Sequence, residues 1–405
     1  MKNIPRIKLS FLEILLISLL IIIFVISFNT ILVTGENSVI IVYIISFSSF
    51  IFMLGYILKF GIPKNDIKYT LLMFIIFISF ILIYSFITRD VDGMKMVTRL
   101  IVLFSVFFLF GFSKWDDLNI ITLAFMFSLF TIIFFMQWLV SYRTFPFTGI
   151  FLNSNILGIF MYITLYFHII AWNIERKIIL KLIWTIIIFM DLILVLVSAA
   201  RSIWLSLVMV LLIFFFYDSI TSKKIIYRLC FFLIIMILLL FSYIYPNLYT
   251  TEIGWKINDF VFNFTGKNFF SGRQELWIDL FYYISKKPLL GYGVSIFPSD
   301  LMHTELSSHN MYIQILLQIG IVGLFLFILL LFFIWECFYL KNGNAKNKLS
   351  LAFFTGLIVY QTFEMTIIQG SYAINLLQWI LISIGIGFKI DSLNNERVAK
   401  RVIDV

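Results

Sequence analysis

The feature that most constrains this chain is a succession of apolar stretches, each about twenty residues long, parted by short polar connections. IILKLIWTIIIFMDLILVLVSA at 178–199 is typical. Such a stretch matches a helix crossing a hydrocarbon core of ~30 Å and not the alternating ~10-residue strands of a membrane barrel. Of the 405 residues 62% are hydrophobic and 13% charged, and mean hydropathy is +1.05. So few charges cannot clothe a water-soluble globule, so the expected fold class is an all-α polytopic membrane protein. The pattern predicts spans at about 11–33, 38–59, 69–88, 96–112, 118–140, 151–172, 178–199, 202–217, 225–245, 309–340, 349–368 and 372–389. That makes about twelve transmembrane helices in a single domain over 1–405. The first is expected to stay uncleaved, because it outlasts a signal-peptide core and no small-residue cleavage site follows it.

A net charge of +9 would suggest nucleic acid in a soluble protein. Here it fits cytoplasmic anchoring to anionic lipid, and no nucleic-acid partner is expected. With the N-terminus in the cytoplasm, two thirds of the 30 Lys and Arg residues fall on cytoplasmic segments. Half of the rest sit in one long connection, 246–308, where the charge rule has little force. The expectation is a multi-pass protein of the cytoplasmic (inner) membrane, with both termini inside and the 246–308 loop outside. Cys230 and Cys337 fall in predicted helices and read as small buried hydrophobes.

The stretch from Tyr245 to Gly323 is the only long one that is not uniformly apolar, and it holds two of the three histidines, His303 and His309. In RQELWIDLFYYISKK, Trp277, Leu280, Phe281 and Ile284 recur at helical spacing among polar residues. This predicts an interfacial amphipathic helix that sets Arg273 at lipid-headgroup level, suited to a lipid-linked phosphate or to a plain headgroup. Ser307 and Ser308 are good N-cap residues, which puts His309 in the first turn of span ten. A histidine there serves as a general base or merely caps and hydrogen-bonds.

Several charged residues map to the same side. Arg201 lies in the SAARS turn, Arg143 in SYRTFPFTG, Arg99 near the end of span four, and Glu364 about one turn inside span eleven. A charge within a span costs about 3 kcal/mol on insertion scales, so these side chains need partners or must snorkel to water. Asp191, deeper in span seven, calls for a partner on a neighbouring helix or a proton of its own, and a proton-coupling role stays open. Asp90 and Asp92 form a DxD that reads either as a divalent-metal site or as a solvated turn beside Arg89 and Lys95.

SGRQELW, PLLGYGVSIF and SHNMYIQILLQIGIVGLF follow one another in an order that resembles the O-antigen ligase and O-antigen polymerase family of bacterial envelope enzymes. FTGIFLNSNILGIF and SAARSIWLSL extend the resemblance, which covers roughly 145–390. Gln318 departs from it, standing where an acidic residue is common. The resemblance implies a GT-C-like, inverting glycosyltransferase that needs no metal and no cofactor. It implies an undecaprenyl-diphosphate-linked oligosaccharide as donor, membrane lipids as surroundings, and a chain-length regulator and flippase as pathway partners. Carried onto this chain, His309 activates the acceptor and Arg201 and Arg273 bind the diphosphate. Arg143, Arg99, Asn310, Tyr312 and Glu364 are supporting candidates. The abundant Ile, Lys, Phe and Asn suit a low-GC, Gram-positive source without lipopolysaccharide core. That favours a capsule or exopolysaccharide polymerase over a ligase for lipid A core, protein or wall polymer. A flippase is the third reading, disfavoured because polar residues gather at one face and not at mid-membrane.

Overall fold

The computed structural model describes residues 7–8, 50–51, 53–59, 61, 67–265 and 268–403. The first predicted span and most of the second lie outside these residues.

Among the described residues nine helices are long and apolar enough to cross a membrane. They are α1 (Ile67–Thr88), α2 (Val91–Phe112), α3 (Asp117–Val140), α4 (Ser154–Ile174), α5 (Ile178–Val197), α6 (Arg201–Ile220), α7 (Lys224–Leu248), α11 (Met311–Phe338) and α13, whose spanning part is Tyr372–Asn395. Between α7 and α11 come α8 (Glu252–Thr265), α9 (Arg273–Lys286) and the short α10 (Pro298–Leu301); α12 is Ala345–Tyr360. A two-residue parallel pair, β1 (Ile7–Lys8) with β2 (Ser113–Lys114), is the one sheet among the described residues. Predicted spans three to ten and twelve are all present, shifted by a few residues at their ends.

The helices sort into a centre and a rim. α13 packs along α2 and α6 along α12, while α3, α4 and α5 form one cluster and α1 joins α2 to α11. From Tyr372 to Ile390 α13 is wholly buried, whereas only 28% of an 18-residue spanning window is buried in α5 and in α6. The outward faces of α5, α6 and α7 are Leu, Ile and Phe, as lipid contact requires.

Span eleven departs from its prediction. α12 stops at Tyr360 after 16 residues, and 361–371 follows as irregular, mostly buried chain. Gln361 shapes this turn: its Oε1 accepts from the backbone N–H groups of Thr366 and Ile367, both at 3.0 Å. Its Nε2 donates to Thr366 Oγ1 at 3.3 Å and Gln378 Oε1 at 3.4 Å. Irregular backbone survives at such depth only when protein buries it and its polar groups are paired. Hydropathy sums cannot tell this from helix.

α11 is also not the continuous rod expected. Gly320 has φ +65° and ψ −164°, which breaks the hydrogen-bond ladder. The segment after α9 fills the gap: Tyr292 N–H donates to Leu317 O at 2.9 Å and Gly293 N–H to Gln318 O at 3.0 Å. In return Ile321 N–H donates to Pro288 O at 2.9 Å. A Cβ on Gly320 would strike the backbone of Leu289, so the close approach and the left-handed φ both demand glycine.

The 246–308 connection is largely helical. α9 forms where predicted, but its apolar face does not lie on lipid. Leu276, Trp277, Leu280 and Ile284 are buried against α7 and α11. α8 is an element that the sequence pattern did not announce, and α13 runs on to Ile403, past the predicted end at 389.

Asp191 has found its partner. His168 on α4 places Nδ1 2.5 Å from Asp191 Oδ2, Thr131 Oγ1 donates to Oδ1 at 2.7 Å, and His168 Nε2 faces Ala124 O at 3.1 Å. Both residues are completely buried.

Candidate functional site

Five connections meet at one end of the bundle, tied by bonds between segments far apart in sequence. Phe147 N–H donates to Val197 O at 2.9 Å and Met311 N–H to Gln361 O at 2.8 Å. Asp90 accepts from Ser295 N–H and Oγ at 2.9 and 2.7 Å. Burial works against the charged form of Asp90, yet these bonds and those from the Gly93 and Val294 backbone hold its carboxyl below the usual carboxylate range.

His309 stands at the start of α11, one residue before the cap rather than in the first turn. Asn310 is the N-cap, with Oδ1 accepting from Tyr312 and Ile313 N–H at 2.9 and 3.1 Å. A free amide on a short stem reaches both orphan donors, so Ser307 and Ser308 are not needed for this. His309 takes φ +47°, a left-handed backbone that costs a non-glycine residue roughly 1–2 kcal/mol. Neighbouring bonds hold it there: Trp277 Nε1 donates to Ser308 O at 2.8 Å, and Asn310 Nδ2 donates to Ser242 Oγ at 2.9 Å. α7, α9 and the 361–371 segment therefore fix the backbone on either side of the imidazole.

Glu364 connects this histidine to the arginines. Its Oε2 lies 3.2 Å from His309 Nδ1, and its Oε1 lies 3.2 Å from Arg273 Nη2 and accepts from Asn155 Nδ2 at 2.8 Å. The carboxylate is 13% exposed, Arg273 22% and His309 28%, so the group is shielded yet reachable. Arg273 is the first residue of α9, preceded by Gly272 at φ +85°. Arg201 opens α6, and its Nη1 donates to Asn268 O at 2.5 Å. α8 supplies the support for that carbonyl: Asn258 Oδ1 accepts from Phe269 N–H at 2.9 Å.

Arg201 and Arg273 line one cleft of about 410 Å³ together with Asn155, Phe241, Tyr245 and Trp277. Among the described residues Arg201 has no carboxylate partner, so the cleft keeps an uncompensated guanidinium. Two guanidiniums in a shielded cleft suit an anion with several oxygens.

The other candidates lie elsewhere. Arg143 is exposed in the 141–153 connection, and His303 is exposed before α11. Arg99 and Gln318 border a second cavity, with Arg99 stacked 5.0 Å above the Tyr372 ring. Asn310 is spent on its cap, and the Tyr312 hydroxyl on Ile358 O at 2.9 Å. Asp90 anchors the 293–297 loop, while Asp92 pairs with Lys95 at 2.6 Å. No group of three or more metal-ligating residues occurs among the described residues. Asn155 was missed; the only signal for it is its place in FLNSN, where span six begins.

Fold and site together define a polytopic membrane protein with a cationic cleft and a carboxylate-held imidazole at one end of its bundle. Residues 186–328, from α5 into α11, match the family model Wzy_C, O-antigen ligase, so this part of the chain is similar to the O-antigen ligase family. No curated protein matches the chain. The match supports a coarse activity, glycan transfer of the ligase or polymerase type by a membrane enzyme. The matched region contains Arg201, Arg273 and His309 but ends before Glu364.

Proposed function

We propose that the protein is an inverting, metal-independent glycosyltransferase that polymerises oligosaccharide units carried on undecaprenyl diphosphate, on the outer face of the cytoplasmic membrane. The observation that carries this reading is the Glu364 carboxylate, which holds Arg273 on one oxygen and His309 on the other beside the cleft of Arg201. With Nδ1 facing Glu364, the Nε2 of His309 is the nitrogen left for substrate.

In the proposed step an acceptor hydroxyl gives its proton to His309 Nε2 as its oxygen bonds to the anomeric carbon. The bond from that carbon to the diphosphate oxygen breaks, and its electron pair leaves with the diphosphate. Attack opposite the leaving group inverts the anomeric centre. Arg201 and Arg273 receive the charge that builds on the diphosphate, where preorganised donors contribute most. The lipid tail leaves sideways between α6 and α7, whose Leu205 and Phe241 form apolar walls of the cleft.

The test is His309→Ala and Arg273→Gln at wild-type expression. Both are expected to abolish long-chain surface glycan while lipid-linked units accumulate, with a rate loss of about 10²–10⁴ for the missing base. Polymer of ordinary length in either variant overturns the reading. The matched family model, described as O-antigen ligase, favours one second reading: transfer of finished polymer to another acceptor. In that case cells lacking the protein accumulate long lipid-linked polymer instead of single units.

A further inference from the structure

The second cavity, of about 620 Å³, lies at the same end of the bundle as the arginine cleft but is walled by different residues. α2 contributes Asp92, Lys95 and Arg99, the loop before α10 contributes Ser295, α10 contributes Ser299, and Gln318 and Gln369 close it. We propose that this cavity is a saccharide subsite that holds the acceptor oligosaccharide, so that the two substrates are divided between two cavities. The proposal rests on the transferase reading above.

Three observations support it. The first is charge. Asp92 and Asp300 balance Lys95 and Arg99, so the lining has no net sign and offers both donors and acceptors. That suits hydroxyl-rich, uncharged sugar and gives no advantage to a diphosphate, for which the arginine cleft is better built. A divalent cation is poorly served too, because Asp92 is paired with Lys95 at 2.6 Å and Asp300 accepts from Phe297 N–H at 2.7 Å.

The second observation is an unmet acceptor. Gln369 is 4% exposed, and its Oε1 has no hydrogen-bond partner among the described residues, while its Nε2 is held by Gln318 Oε1 at 2.5 Å. A buried amide oxygen without a donor is costly, and a hydroxyl entering the cavity would supply one. Arg99 has no carboxylate partner among the described residues and rests on the Tyr372 ring.

The third is rigidity. The loop wall is stapled on two sides: Asp90 binds Ser295, and the Nε2 atoms of Gln314 and Gln318 both donate to Ile296 O, at 2.9 and 3.1 Å. A wall fixed before binding lowers the ordering cost of holding a flexible glycan. The two cavities also share their carriers. The 361–371 segment gives Glu364 to one site and Gln369 to the other. His309 lies just ahead of α11 and Gln318 within it, and the helix from Met311 to Gln318 alone rises roughly 10 Å between them. That separation calls for an oligosaccharide rather than a single sugar.

The test uses the full-length protein in proteoliposomes, with lipid-linked oligosaccharide extracted from cells that lack the protein. Ser299→Cys places a thiol in the cavity wall, clear of the hydrogen bonds that hold it. Oligosaccharide released from its lipid should slow alkylation of this thiol several-fold, and Arg99→Gln or Gln369→Ala should remove that protection. Both variants should bind undecaprenyl diphosphate within twofold of wild type, yet transfer at least tenfold more slowly at low substrate. Unchanged alkylation with the oligosaccharide overturns the subsite, as does wild-type transfer by both variants. Loss of undecaprenyl diphosphate binding in them also overturns it, by assigning the cavity to the donor. If Arg201→Gln and Arg273→Gln bind undecaprenyl diphosphate as wild type does, the donor assignment fails instead, and the thiol protection still reads the glycan site on its own.

Discussion

Glu364 is a single carboxylate asked to serve two cations, and its two oxygens divide the task between Arg273 and His309. Proposed as a positioning residue, it orients the ring and steadies the guanidinium without touching the reacting atoms. Glu364→Gln keeps the shape and gives up the charge. We expect kcat to fall about 10–100-fold, the range for a lost orienting partner, with donor KM within a factor of three and melting temperature little changed. Full activity in this variant would remove the role, and a matching drop in melting temperature would make it structural. At this scale the sequence was informative only about residues whose neighbours are close in the chain. His309 and Arg273 stood out beside their helix starts. Glu364 read as part of a span, and Asn155 and His168 went unread, because their partners lie far away in sequence and no spacing pattern reports such contacts.

Among the elements, α11 shows most clearly what hydropathy can and cannot say. IQILLQIGIVGLF reads as unbroken helix because, apart from Gln314 and Gln318, every residue in it is apolar or small and none is charged or proline. The break at Gly320 is decided by another segment, 288–293, whose backbone enters the gap. Gly320→Ala forces a left-handed alanine and sets a methyl against the Leu289 backbone. We expect a loss of stability of about 1–3 kcal/mol, read as a lower melting temperature in detergent. Wild-type melting would show that the break is not required. α9 teaches a related lesson: its periodicity predicted both the helix and its apolar face. What covers that face is protein, and periodicity does not distinguish a protein surface from a lipid one.

For the whole molecule, the class of fold followed directly from run length and hydropathy, since a helix of given length either spans hydrocarbon or does not. Sidedness rests on the distribution of Lys and Arg alone. It predicts that Glu305→Cys, exposed in the long connection, reacts with an impermeant thiol reagent on intact cells. The native Cys230 and Cys337 lie within helices. Labelling only after the membrane is opened would invert the topology and place the cleft in the cytoplasm.

The buried pair in the middle of the bundle has a bearing on how such a chain is made. An aspartate at the centre of a helix adds about 3 kcal/mol to the cost of its insertion. The side chains that hydrogen-bond Asp191 come from α3 and α4: Thr131, Thr164 and His168, the last held in turn by Ala124 O. All of them precede it in the chain, so when the ribosome delivers Asp191 its complement has already been synthesised. The costliest residue of the bundle's interior can thus be neutralised within a three-helix unit, before any part of the cleft exists.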